Sequence, residues 1–254
     1  ARIFMPESNL MKLLSKDYTD ITKTAIPKGK SRYAQDKGLL WFKNQLDEGI
    51  YNTANINPHI SSGIQSFYCS AIGNSCDRYL YLHWNRLLPR EDIDGGKQRI
   101  FDHGNATEER FTKYFENGIM YVDREVKATN EYPPISGRAD FLLTSAKAGV
   151  KRFIVELKTI NSRGFDGLQV PKVDHEIQLQ SYLNMLDIPF GIVVYENKDN
   201  QKMKFFQVDK DPQAWKVVLD RLEYIINMET VPTLSSVDGP DHPSWCNCRD
   251  VLDE

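Results

Sequence analysis

Two periodicities alternate along this chain. Leu39, Leu40, Phe42 and Leu46 fall at helical spacing and predict a helix over 33–49. The Asn-rich stretch 51–60 reads as a loop, and an aromatic-rich helical region is expected from 64 to 88, ending before Pro89. Gly95-Gly96 punctuates the chain, and Ile100, Phe101, Phe111 and Phe115 predict a helix over 98–117. After Gly118 the period shortens to two. Strands are expected over 119–127, 135–143 and 150–160, the first closed by Pro133-Pro134, with residues 144–149 as a hairpin turn between the second and third. Phe153, Val155 and Leu157 share one face of that third strand. Asp174 is the expected cap of a helix over 175–187, strands follow at 190–196 and 202–208, and Asp211-Pro212 opens a helix to 228. This order predicts a mixed α/β fold with a small central mixed sheet flanked by helices. Three segments are expected: a helical N-terminal region over 1–97, a core over 98–230, and a tail over 231–254 that holds a Cys-x-Cys pair.

Composition narrows the class. The chain has 254 residues, 41% hydrophobic and 26% charged, which excludes wholesale disorder. No apolar run reaches the ~18 residues of a membrane span, so no membrane partner is expected and the cytoplasm is the expected compartment. The net charge of −3 excludes a protein that coats nucleic acid by bulk charge. Charge is nevertheless polarised: residues 20–43 carry six Lys or Arg against two Asp, and 229–254 carry six acids against one Arg.

The most informative stretch is Gly-Arg-Ala-Asp at 137–140 followed by Val-Glu-Leu-Lys at 155–158. On a strand, residues two apart point the same way, so Glu156 and Lys158 share a face. A hairpin brings Asp140 beside Glu156, at a sheet edge or where strands diverge. Paired carboxylates hold hard cations such as Mg²⁺ or Mn²⁺, and a lysine beside them orients water or stabilises developing charge on a phosphoryl group. An E-x-K triplet alone is common on surface hairpins; the preceding Asp and following helix make this one informative. Gln178 and Tyr182, four apart, share a face of the next helix. Glu108, four residues after Gly104, offers a further carboxylate, and Arg138, on the face of Asp140, can reach a phosphate.

Gly104 to Glu108, Gly137 to Asp140, Glu156 to Lys158 and Gln178 to Tyr182 occur in the order of four motifs, and together they resemble the PD-(D/E)xK nuclease superfamily. Within it the pattern is similar to the RecB-type exonucleases, which include phage and CRISPR-associated nucleases. The resemblance implies a restriction-endonuclease-like core and a Mg²⁺- or Mn²⁺-dependent deoxyribonuclease. Asp140, Glu156, Lys158, Gln178 and Tyr182 would form its catalytic set, with Glu108, Asp140 and Glu156 on the metal. Glu108 stands where RecB-type members often carry His, His103 is out of register, and the proline that often precedes the aspartate is absent.

Some members of that group also carry a [4Fe–4S] cluster that staples a cysteine before the core to three after it. Here Cys76, followed by Asp-Arg, resembles the leading cysteine, and Cys246 and Cys248 follow the core. Cys69 would have to complete the set; alternatively His242 completes a Zn²⁺ site, or the thiols are free. Three functions stay open: an exonuclease on DNA ends in recombination, repair or phage DNA metabolism; a structure- or sequence-specific endonuclease; and a non-catalytic nucleic-acid-binding module. Lys28, Lys30 and Arg32, near Trp41 and Phe42, are the expected DNA-holding cations. No G-x-x-x-x-G-K-[ST] loop occurs, so unwinding is expected from a helicase or recombination partner.

Overall fold

A computed structural model describes residues 37–55, 65–88, 94–118, 120–145, 152–233 and 246–251. The chain divides into two compact units, Ala1–Gly49 and Ile50–Glu254. Lys28, Lys30, Arg32 and His242 lie outside the described residues. Helix α1 (Lys37–Asn55) presents Trp41 and Phe42 to solvent.

From residue 95 on, the elements of the second unit follow the expected order with one short helix added after residue 160, whereas the helical region expected over 64–88 is a two-residue strand and two short helices. The elements are β1 (Phe67–Tyr68), α2 (Cys69–Ile72), α3 (Asp77–Trp84), α4 (Gly95–Glu116), β2 (Met120–Asn130), β3 (Ile135–Ser145), β4 (Arg152–Ile160), α5 (Ser162–Asp166), α6 (Val173–Met185), β5 (Phe190–Asn197), β6 (Met203–Asp209) and α7 (Pro212–Ile226). A short 3-10 helix, Asn247–Asp250, lies in the tail. Gly95 and Gly96 do not break the chain; they form the first turn of α4, because the Asp94 carboxylate accepts from the Lys97 N–H and caps the helix. Asp211 caps α7 as expected, accepting from the N–H groups of Gln213 and Ala214.

The six strands form one mixed sheet in the order β1-β3-β4-β5-β6, with β2 paired to β3. The β4–β5 pair is parallel, whereas β2–β3, β3–β4 and β5–β6 are antiparallel. Helices cover both faces. On one, Phe111 and Phe115 of α4 meet Phe141, Leu143, Val155, Leu157 and the half-buried Phe153, as the alternation in β4 requires. On the other, Leu179 and Leu183 of α6 join Leu142, Ile154 and Val193 in one core cluster, which Leu222 and Ile225 of α7 extend. Each such side chain, fully buried, contributes roughly 1.5–3 kcal/mol. The face that carries Glu156 and Lys158 is therefore not a solvated edge: it lies beneath α6.

Candidate active site

The site arises where the sheet splits. The β3–β4 ladder runs from Thr144 opposite Arg152 to Phe141 opposite Val155 and stops there; the next pair would be Asp140 and Glu156. Further along, Ile135 and Ser136 of β3 pair with β1 instead. Since β2 occupies the other edge of β3 on both sides of Asp140, β4 and β1 share one edge and leave 137–140 uncovered between them. The Asp140 side chain bridges the parting, its Oδ2 accepting from the Leu157 N–H at 2.8 Å. Glu125, facing Asp140 from β2, adopts φ 50° and interrupts that ladder too, a left-handed conformation that an L-residue holds at a cost.

Glu156 is wholly buried in the adjoining position. Its Oε1 accepts from Lys158 Nζ at 2.7 Å, and Lys158 also donates to Gln178 Oε1 at 3.1 Å. Gln178 Nε2 in turn donates to the Tyr182 hydroxyl at 3.2 Å. A continuous polar chain, Glu156–Lys158–Gln178–Tyr182, thus joins β4 to α6. Burial pushes the Glu156 carboxyl up to about 8, with Lys158 opposing and Asp140 reinforcing. Burial and then Asp140 push Glu108 up to about 6, and burial raises Asp140 as well. Burial alone would lower the Lys158 ammonium, but Glu156 and Asp140 hold it above its usual value. Burial also raises the Tyr182 phenol.

These carboxylates suit a hard divalent cation. Glu156 Oε2 is buried and has no hydrogen-bond partner among the described residues, an oxygen left for a ligand. The mutual repulsion of Glu108, Asp140 and Glu156 is of the kind a bound cation relieves. Among the described residues the three do not converge as the thiols described below do.

Gly137 sets the back wall. A Cβ there would lie 2.5 Å from Cys69 Sγ and 2.9 Å from Tyr182 Cε1, so only glycine lets β3, α2 and α6 approach this closely. Arg138 is exposed and paired with Glu125. Two lining residues escaped the sequence reading. His175, one turn before Gln178, receives a 2.7 Å hydrogen bond at Nδ1 from the Tyr195 hydroxyl, in the tautomer where that nitrogen is unprotonated. Tyr195 lies opposite Lys158 in the β4–β5 register. Burial, then Lys158, pushes His175 down to about 4. Its position three residues before Gln178 on the same helix was the available signal.

The cysteines are corrected in part. Cys76, Cys246 and Cys248 are buried with their sulfurs all within 4.8 Å of one another, Cys76 and Cys248 at 3.6 Å. Cys69 does not join them. It sits in the main core against Gly137, its thiol pushed up to about 11 by burial, because α2 starts directly after β1 and points it into the sheet. Burial raises the Cys76 and Cys248 thiols as well. Three convergent sulfurs suit a thiophilic metal and supply three of the four ligands of a tetrahedral site. The wholly buried Arg78 guanidinium holds the tail beside them, donating to the carbonyls of Cys248 (3.2 Å), Pro232 (2.5 Å) and Val251 (2.6 Å).

No protein-family profile and no curated protein matches this chain. Among solved structures, the crystal structure of SSO0001 superposes with a TM-score of 0.50 at 18% identity, over 76% of this chain and 88% of that one. An alkaline exonuclease, LHK-Exo from Laribacter hongkongensis, superposes at 0.46 and 11% identity, over 70% and 90%. LHK-Exo in complex with dAMP gives 0.44 and 12%, over 64% and 86%. The likeness to SSO0001 is one of fold. No described helix is long and apolar enough to cross a membrane.

Proposed function

We propose that this chain is a metal-dependent DNA nuclease of the PD-(D/E)xK superfamily, an exonuclease that works from DNA ends. The observation that carries this reading is the Asp140–Glu156–Lys158 set at the parting of β3 and β4, in which Glu156 is fully buried and one of its carboxylate oxygens has no partner among the described residues. Asp140, Glu156 and Glu108 would hold Mg²⁺ or Mn²⁺, which when bound neutralises phosphoryl charge and lowers the pKa of a coordinated water. Lys158, fixed by Glu156 and Gln178, presents its ammonium to the scissile phosphate and stabilises the charge that grows there. Tyr182 holds Gln178, and through it the lysine, in place. In this reading Arg138 and the 20–43 cations contact phosphates, and a helicase or recombination partner in the cytoplasm supplies open ends.

The thiol trio is read as a structural metal centre, an iron–sulfur cluster or zinc, that staples the tail to α3.

End-labelled linear DNA incubated with Mg²⁺, Mn²⁺ or EDTA tests the reading, with a covalently closed circle alongside. Metal-dependent release of mononucleotides from linear DNA, with the circle intact, is expected. Nicking of the circle would make the protein an endonuclease, and binding without cleavage would reduce it to a binding module.

A further inference from the structure

Helix α4 carries one stripe along its whole length. Lys97, Phe101, Gly104, Glu108, Phe111 and Phe115 recur at spacings of four and three, so they lie on one side of the helix. The last two pack on the sheet, Phe115 edge-on against Phe141. Glu108 follows at the sheet's parting, where Asp140 acts on it. Upstream of Glu108 the same stripe runs on past the sheet. Phe101 is 51% exposed there, and a Cβ on Gly104 would meet nothing within 4 Å among the described residues. Both facts run against local stability. A phenylalanine on the core-facing stripe is expected to be buried. A glycine within a helix is disfavoured against alanine unless something needs the room, and no described residue uses it.

We propose that this open half of α4 is the wall along which the substrate strand reaches the metal site. Phe101 stacks a nucleobase, and the bare backbone at Gly104 admits the sugar-phosphate between Phe101 and Glu108. Phe101 precedes Glu108 by two helical turns, about 10 Å, a span of one to two nucleotides. The occupant is a nucleic-acid strand because the stripe runs without interruption into the carboxylates, and because Lys97 places a cation one turn beyond Phe101. Stacking on an aromatic face is tolerant of base identity, so this wall selects an unpaired strand over a sequence.

This inference rests on the nuclease reading and deepens it. The test uses the full-length protein, single-stranded oligonucleotides with 2-aminopurine near the labelled end, and steady-state kinetics with thermal melts. Phe101→Ala should raise KM roughly tenfold, leave kcat and Tm near wild type, and abolish the change in 2-aminopurine emission on binding; Phe101→Tyr should restore all three. Gly104→Leu should leave Tm unchanged or higher and yet cost roughly tenfold or more in kcat/KM, a combination that a purely structural glycine does not give. Wild-type kinetics in Phe101→Ala or Gly104→Leu would overturn the proposal and leave the nuclease reading intact. A large fall in Tm for Phe101→Ala would overturn it too, by showing that the ring is covered by another part of this chain. A wild-type protein that cleaves no DNA with either metal would remove the nuclease reading itself.

Discussion

Replacing Gly137 by alanine adds one methyl group where three elements meet. It would stand 2.5 Å from Cys69 Sγ, 2.8 Å from Cys69 Cβ and 2.9 Å from Tyr182 Cε1. Non-bonded heavy atoms rest at ~3.5–4.0 Å, so the nearest contact is about 1 Å too close. Both neighbours are buried. Overpacking of this kind costs ~1–3 kcal/mol, which in a unit of this size lowers Tm by about 2–12 °C. The functional loss should exceed the stability loss. Tyr182 holds Gln178, and Gln178 holds Lys158, so a displaced ring moves the ammonium. A misplacement near 1 Å at a reacting group can cost ~10²-fold. Thermal melts and single-turnover cleavage at 25 °C, where the variant remains folded, separate the two effects. An unchanged Tm would refute the packing argument. A lowered Tm with a wild-type cleavage rate would refute the coupling from Gly137 to Lys158.

Three further outcomes are expected. Lys158→Ala should lower kcat by ~10²–10³ and change DNA affinity little, since its ammonium is aimed at charge that grows only in the transition state; a loss confined to affinity would make it a phosphate-positioning group. Burial raises Glu156 to about 8 and Glu108 to about 6 from an ordinary 4.5. A raised carboxyl contributes stability that is full below its unfolded value and is lost as pH rises through its folded value. The metal-free protein should therefore lose this contribution between pH 4.5 and about 8, and Mg²⁺ or Mn²⁺ should raise Tm more at pH 8 than at pH 5; equal shifts at both would contradict the site. Cys248→Ala should lower Tm and the content of bound iron or zinc while sparing the Glu156–Lys158 pair, whereas unchanged stability and metal content would return the three thiols to ordinary core residues.

Much of this molecule was legible where local chemistry and tertiary structure agree. The alternation of Phe153, Val155 and Leu157 gave β4 and its α4-facing side, and Asp211-Pro212 gave the start of α7. That Glu156 and Lys158 share a face followed from period two on β4, and that Gln178 and Tyr182 share one followed from the helical spacing on α6. What stayed hidden depends on contacts distant in sequence. β1 is only two residues long and exists through its pairing with Ile135 and Ser136, so its aromatics read as helix. Because β1 ends at Tyr68, Cys69 is directed into the sheet and away from the other thiols. The cap of Asp94 overrode two glycines. Asp174 falls inside the first turn of α6, one residue beyond the start, where its carboxylate serves the His175 N–H. The full burial of Glu156 could not be read from β4 alone, since it requires α6 to cover that face.

The most direct test of the account is a paired measurement on wild type and Asp140→Asn. The substitution keeps the size of the side chain and an oxygen to accept from the Leu157 N–H, so the fold should survive. It removes one of the negative charges on which cation binding depends. The two proteins are compared for Mn²⁺ binding by calorimetry and for release of nucleotides from linear duplex DNA. The account predicts that wild type binds Mn²⁺ and degrades the DNA only with metal present, while Asp140→Asn melts at or above the wild-type temperature, binds Mn²⁺ weakly and cleaves nothing. Cleavage by Asp140→Asn at the wild-type rate, or cleavage by wild type in EDTA, would contradict it.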